Sequence, residues 1–313
     1  MSGTYNIVAR VIFSCALGSG FAAKVLRRLY PSWPSRRFLR RLIIKCYDKS
    51  NLSGSARAVC LSGAEWASAL ALDSLADEMI SRLNADQLSD WGKQIELHTA
   101  HGETVLEVGS GTGEISLHLA QVGREVTALD VARQALDFIG ECAKAIGVAV
   151  RTVQADATCT LPFRDSAFDC VWSSGLLEHF TPELRRNMIR EQARVSERKV
   201  ICLVPNANCV AYRAGRFLQE QQGTWPYGIE TPLVSLREDF EAVGLHVDEE
   251  LTVGVSHALS FLPPGSCLGR AVRCWLDTLS PQELASSDQG YLVLTVGTKS
   301  PRDTLADGSS VNA

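Results

Sequence analysis

Val105-Leu106-Glu107-Val108-Gly109-Ser110-Gly111-Thr112-Gly113 is the stretch that decides the fold. Strand-forming residues with an embedded acid run into a loop that carries glycine at alternate positions. A helical pattern, Glu114-Ile115-Ser116-Leu117-His118-Leu119-Ala120, starts at once. A strand, a glycine turn and a helix start bring backbone close to a bound nucleotide. Glycine is needed there because a Cβ blocks the approach and because some positions require positive φ. A second strand, Glu125 to Leu129, ends in Asp130, where an acid is placed to hold a pair of ribose hydroxyls. Taken singly, the glycines also suit any tight strand-to-helix turn, and Asp130 also suits the N-cap of the next helix.

Spacing narrows the ligand. There is no Gly-Lys-Ser/Thr, which excludes a phosphate-cradling P-loop. A dinucleotide loop wants Gly-x-Gly-x-x-Gly, with its third glycine inside the helix. Here the pattern is Gly-x-Gly-x-Gly after an acid, Glu107. Further motifs follow in order: a helix from Ala132 to Ile146, a strand from Val148 to Val153, then Gln154-Ala155-Asp156-Ala157. Leu161-Pro162-Phe163 and Phe168-Asp169-Cys170-Val171-Trp172 lead to Ser173-Ser174-Gly175-Leu176-Leu177-Glu178-His179-Phe180.

Over roughly 100 residues this series resembles the class I S-adenosylmethionine-dependent methyltransferases, in particular the type 11, ubiquinone-biosynthesis-like branch. The resemblance implies an α/β fold: a Rossmann-like, seven-stranded, mostly parallel sheet flanked by helices, with the last strand antiparallel. It implies S-adenosylmethionine as cofactor, bound by Glu107, Gly109, Ser110, Gly111, Gly113, Asp130, Val131, Asp156, Ala157 and Ser173. Asp156 with Ala157 matches the position that holds the adenine amino group, though a loop Asp also satisfies its own backbone. Glu178 and His179 fall beside the transferring methyl and are the catalytic candidates, as base or as structural groups; imidazole titrates near neutral pH, which suits a base. Relatives that bind a divalent metal have Glu-x-x-Glu-His here. This chain has Gly175 in place of the first acid, and one carboxylate with one imidazole is a poor magnesium site, so no metal is expected.

Composition agrees. The chain has 313 residues, 46% of them hydrophobic, enough for a full core in one large domain or a domain with additions. Val200-Ile201-Cys202-Leu203-Val204 is continuously apolar, as in a strand buried on both faces of a parallel sheet. Gly290 to Val296 reads as the last strand. Ten cysteines include no Cys-x-x-Cys, so a zinc knuckle is not indicated, and free thiols in a reducing cytoplasm are the simplest account.

Charge is uneven. Residues 1–50 hold ten Lys/Arg and one acid, and the remainder holds 21 Lys/Arg and 34 acids. The basic segment also carries apolar runs, so it suits either a peripheral contact with an anionic membrane surface or a basic helix covering the acidic body. Its best apolar stretch, Val11 to Ala23, is too short to span a bilayer, and one early charge, Arg10, makes a poor signal peptide. No RNA-binding motif is present, so nucleic acid is not the expected partner.

The expected organisation is a basic apolar segment 1–50, a helical lead-in 51–100, a methyltransferase domain 101–298 and a disordered tail 299–313. The lead-in has a helical stripe, Trp66, Leu70, Leu72, Leu75, Met79, Ile80 and Leu83. Two inserts are expected, at 205–232 and 255–288. The first leaves the carboxyl end of a parallel strand, where ligands bind in open α/β sheets. Tyr212, Trp225, Tyr227 and Glu230 are therefore expected to line the acceptor pocket; the alternative is a loop pinned by buried aromatics. The second insert suits a lid, a dimer surface or a membrane contact. The expected acceptor is a small or lipid-like molecule. The alternatives are a protein or RNA, or a protein that binds the cofactor without transfer.

Overall fold

A computed structural model describes residues 62–299 except 71, 73, 74, 264 and 266. The basic segment 1–50, with its expected membrane contact, and the tail beyond Lys299 lie outside the described residues. Helices α1 (Gly63–Ala69), α2 (Ala76–Asn84) and α3 (Asp90–Leu97) precede β1 (Thr104–Val108). Next come α4 (Glu114–Gln121), β2 (Glu125–Asp130), α5 (Arg133–Ile146), β3 (Val150–Gln154), β4 (Phe168–Ser174), α6 (Pro182–Val195) and β5 (Ser196–Pro205). The chain continues with α7 (Val210–Gln222), α8 (Arg237–Glu241), β6 (Leu245–Val253), α9 (Val255–Ala258), α10 (Cys267–Leu276), α11 (Pro281–Ala285) and β7 (Leu292–Lys299).

The seven strands form one sheet in the order β3-β2-β1-β4-β5-β7-β6. β1 to β5 run parallel, and β7 is antiparallel to both β5 and β6. This is the expected Rossmann-like α/β fold with an antiparallel last strand. β5 is buried along its apolar run, as its lack of polar alternation requires. Leu106, Val108, Leu129 and Val171 pack in one cluster; Leu117, Ala128, Phe138 and Ile139 pack in another with Met79 and Leu83 of α2. The lead-in stripe is therefore core, at least at those positions.

Local chemistry sets the element ends. Ser62 caps α1 in a capping box with Glu65, and Thr181 caps α6 with Pro182 at the first helical position. α5 ends at Gly147, φ +74°, and the Val148 amide donates back to the Ala143 carbonyl. That closing bond keeps Val148 out of β3, which begins two residues later than its sequence suggests. β7 likewise begins at Leu292 rather than Gly290. Asn206 takes the carbonyls of Gly290, through its Nδ2, and of Tyr291, through its backbone N–H.

The chain divides into two compact units. The larger contains the sheet, with described residues 62–205, 226–253 and 292–299; the smaller comprises 206–225 and 254–291. The first expected insert is thus split after Trp225. The smaller unit has its own core, in which Cys209, Val210, Ala211 and Tyr212 pack with Ala258, Leu262, Val272 and Leu276. Gln289 and Asn206 tie its ends together: Gln289 Oε1 accepts from the Val210 amide, and Asn206 Nδ2 donates to the carbonyls of Asp288 and Gly290. Among the described residues no helix is long and apolar enough to cross a membrane.

Candidate active site

The glycine loop is held by hydrogen bonds from both sides. The amides of Gly109 and Ser110 donate to the Leu129 carbonyl at 2.8 and 3.0 Å, and the Gly113 amide donates to the Ser110 carbonyl at 2.8 Å. Gly109, Gly111 and Gly113 have φ of +74°, +51° and +65°, the left-handed region that glycine enters without penalty. A Cβ on Gly113 would stand 2.5 Å from Ile139 Cγ1, and one on Gly109 would stand 3.0 Å from Leu176. Helix packing fixes the first contact and the turn after β4 fixes the second.

Asp130 closes the loop. Its Oδ2 accepts from the Gly111 amide at 2.9 Å, and its Oδ1 accepts from the Ala132 amide at 2.8 Å. The second bond is the cap-like role open in the sequence; the first ties the acid to the glycine loop. A carboxylate oxygen has two lone pairs, so each oxygen still has capacity for a hydroxyl donor. Val131, next to it, is an exposed large apolar residue.

Glu107, at the end of β1, is buried. Burial raises its carboxyl well above the usual range, opposed by the Ser116 hydroxyl, which donates to Oε2 at 2.5 Å, and aided by the charge of Asp130. Ser110 Oγ is buried without a hydrogen-bond partner, a free polar group within the loop. An acid able to take a hydroxyl pair, an exposed apolar neighbour and an unsatisfied hydroxyl beside glycine amides fit the nucleoside end of S-adenosylmethionine.

Two expected cofactor residues also bond within the protein. Ser173 is buried in β4, and its hydroxyl donates to Cys202 Sγ at 3.4 Å. Asp156 closes its own turn, with Oδ1 accepting from the Thr158 amide and hydroxyl at 2.8 and 2.7 Å. The Ala155 amide, donating to the Asp130 carbonyl at 3.1 Å, holds that turn to the end of β2. Half-buried Ala157 follows.

Beyond β4 a short 3₁₀ turn, Leu177–His179, carries Glu178 and His179. A second loop docks on it through backbone. The Thr231 amide donates to the Glu178 carbonyl, and His179 Nδ1 lies 2.8 Å from the Ile229 carbonyl. Since a carbonyl only accepts, His179 carries its proton on Nδ1, and Nε2 faces Glu178 Oε1 at 3.8 Å. Glu230 arrives with that loop. Its ligand atom lies within 4.8 Å of those of Glu178 and His179. The expectation of a single carboxylate beside this imidazole is therefore corrected to two. Tyr227 is near: burial, then the charge of Glu230, raises its phenol.

α1 reaches the same edge. Trp66 meets the His179 ring edge-on with centroids 4.8 Å apart. A Cβ on Gly111 would lie 3.5 Å from Leu70, and one on Gly63 would lie 3.2 Å from Ala132 Cα. α1 thus crosses the carboxyl ends of β1, β2 and β4. Sequence reasoning placed Trp66 and Leu70 on a packing stripe and did not assign them to the site. Tyr212 and Trp225, expected in an acceptor pocket, belong to the smaller unit. Tyr212 is wholly buried there against Phe261 and Tyr291, with Trp225 beside it. The alternative reading, buried aromatics pinning a loop, describes Tyr212.

Comparison with known proteins agrees with this geometry. Residues 105–199 match a family model described as a methyltransferase domain. YqeM of Bacillus subtilis (strain 168), provisionally named a methyltransferase, is 40% identical over 65 residues, covering 21% of this chain and 25% of that protein. A Mus musculus protein provisionally named tRNA methyltransferase 9B is 28% identical over 201 residues, covering 61% of this chain and 39% of its own. This chain thus spans well under half the length of either relative. A Haloferax volcanii methyltransferase solved in complex with the Trm112 activator aligns with a TM-score of 0.48 at 18% identity, over 72% of this chain and 96% of that one. The glycine loop, Asp130 and the turn at Glu178 lie within residues 105–199, the span that matches the methyltransferase-domain model.

Proposed function

We propose that the protein transfers the methyl group of S-adenosylmethionine to a small-molecule or lipid-like acceptor. The observation that carries the cofactor part is the tie between Asp130 and Gly111, which sets a ribose-type acid against a glycine loop. The cofactor, when bound, supplies an electrophilic methyl on a sulfonium. The protein's part is to hold it. Asp130 takes hydroxyls, the glycine loop admits backbone contact, and Val131 offers an apolar edge. Transfer in line needs an acceptor held at the right distance, and positioning of that kind accounts for much of the barrier reduction in such reactions.

Glu178, His179 and Glu230 are the acceptor-activating groups in this reading, because Leu176 sets their turn against Gly109. Tyr227 borders them. Half-buried Trp66 of α1 and Leu70 just after it cover the same edge, a setting that favours an apolar acceptor over a folded macromolecule. A tRNA acceptor is the second reading, raised by the name of the mouse relative.

Calorimetric titration with S-adenosylmethionine, beside an Asp130→Ala variant, tests the first part. Binding by the parent and its loss in the variant support the reading. No binding by a folded parent overturns it. Transfer of labelled methyl to a cell extract separated into lipid, small-molecule, protein and RNA fractions then tests the acceptor class, and label in RNA alone would favour the second reading.

A further inference from the structure

We propose that Glu178, His179 and Glu230 form a binding site for one divalent transition-metal ion, of the zinc or manganese class. Three observations carry it. First, two carboxylates and one imidazole bring their ligand atoms within 4.8 Å of one another. The side chains of Glu178 and His179 are 1% and 9% exposed, and Glu230 as a residue is 7% exposed, so this is no wet acidic patch. Ligands of one ion bound at about 2.1 Å stand about 3 to 3.5 Å apart, so binding an ion requires the three groups to draw together from the separations observed here.

Second, the imidazole is oriented from behind. His179 Nδ1–H donates to the Ile229 carbonyl at 2.8 Å. In the neutral imidazole that bond selects the tautomer whose Nε2 carries a lone pair, and Nε2 lies 3.8 Å from Glu178 Oε1. At 3.8 Å the two are too far apart for a direct hydrogen bond to each other. An imidazole that donates its outer N–H to a backbone carbonyl while its inner nitrogen points at oxygen ligands is the usual support of a metal-binding His.

Third, the backbone builds the set rather than leaving it to flexible side chains. Gly175 has φ +68°, and a Cβ there would lie 3.7 Å from Glu178 Oε1. A carboxylate at 175 is thus disfavoured by backbone conformation. The loop at 229–231 supplies one instead, pinned by the Thr231 amide on the Glu178 carbonyl at 2.8 Å. Mixed oxygen and imidazole donors suit zinc or manganese better than magnesium, which prefers oxygen alone.

The binding claim stands apart from the methyl-transfer reading. Where that reading also holds, the ion takes an acceptor oxygen as a further ligand and lowers its pKa, as a bound divalent ion does for water.

The test uses the full chain after chelator treatment and dialysis. Mn²⁺ is titrated alone and its free signal followed by electron paramagnetic resonance, with Zn²⁺ added as competitor. Loss of one equivalent of free signal, reversed by Zn²⁺, is expected. Glu230→Gln and His179→Gln should each weaken binding at least about tenfold, while their circular dichroism and S-adenosylmethionine affinity stay at parental values. No Mn²⁺ or Zn²⁺ bound by the parent would mean that hydrogen bonds and ion pairs of the protein alone satisfy these groups, and would overturn the proposal. So would binding unchanged in both variants. Metal binding without S-adenosylmethionine binding would leave this inference standing and remove the methyl-transfer reading.

Discussion

The carboxylate of Asp130 accepts the amide of Gly111 at 2.9 Å, so the tip of β2 and the glycine loop after β1 form one unit. The same carboxylate accepts the Ala132 amide. An Asp130→Asn variant keeps one of these bonds and sets an NH₂ group against the other amide. A donor facing a donor costs about 1 to 3 kcal/mol. S-adenosylmethionine affinity should therefore fall by about tenfold to a hundredfold, with the melting temperature lowered by a few degrees. Calorimetry and differential scanning fluorimetry measure both, and an unchanged affinity would sever the acid from cofactor binding.

Gly113 admits no side chain. Its φ is +65°, and a Cβ would lie 2.5 Å from Ile139 Cγ1. Gly113→Ala must move α5 or abandon the turn, at a cost of about 1 to 3 kcal/mol for overpacking. Soluble Gly113→Ala protein should bind S-adenosylmethionine weakly or not at all. Gly140, where a Cβ meets nothing within 4 Å, is the control: Gly140→Ala should bind normally and be slightly more stable, being mid-helix.

Glu107 makes stability depend on pH. Its folded carboxyl lies well above the ordinary glutamate value because it is buried. The folded state therefore holds the proton more tightly than the unfolded chain. The resulting stability is fully present below the unfolded value, about 4.3, and is lost as pH rises through the folded value. Glu107→Gln keeps an acceptor for the Ser116 hydroxyl and removes the titration. Its unfolding midpoint should match the parent's near pH 4 and exceed it at pH 8. Curves that stay parallel would show that the carboxyl does not titrate differently in the two states.

Asp239 holds two helices together. Its Oδ2 accepts from Arg185 Nε at 2.7 Å and lies 2.6 Å from Arg185 Nη2, and Oδ1 accepts from Arg186 Nε at 2.7 Å. Arg185 and Asp239 are both buried. Asp239→Ala leaves a buried guanidinium without its carboxylate, which costs about 3 to 5 kcal/mol. Urea unfolding should show that loss. Arg186→Ala, whose side chain is 44% exposed, should cost about 1 kcal/mol or less.

Thiol reactivity should follow burial. Burial pushes Cys170 and Cys202 up to about 12 and Cys209 up to about 11, so none is a thiolate at neutral pH. Cys159 and Cys274 are exposed. Maleimide labelling followed by peptide mass spectrometry should mark Cys159 and Cys274 in the native protein. Cys170, Cys202 and Cys209, like buried Cys142, should react only after denaturation.

The parts of the fold legible in the sequence were those with short-range causes. The apolar run at Val200–Val204, the glycines at 109, 111 and 113 and the acid at 130 each declare a local requirement, and the seven-stranded sheet with its antiparallel last strand came from the family resemblance that the ordered motifs carry. Strand ends at Val148 and Gly290 were misplaced because neighbouring backbone bonds, to Ala143 and from Asn206, settle them. Ser173 was expected at the cofactor from the motif that follows the fourth strand; its bond to Cys202 Sγ joins neighbouring strands β4 and β5, a contact that the motif does not announce. The meeting of Glu230 with Glu178 and His179 was not legible at all. It depends on a loop some fifty residues further along the chain docking by backbone amides and carbonyls, which leave no mark in residue identity.

The position of β7 has a consequence for biosynthesis. β7 lies between β5 and β6 and is made after both, and among the described residues β6 has no other strand partner. A ribosome that has released β6 but not β7 displays a chain with two open strand edges, one of them the apolar flank of β5. Open apolar edges are where chains join one another. Folding of the sheet therefore waits for its last eight residues, and a stop codon or protease cut shortly before Leu292 would yield aggregating material rather than a smaller working domain.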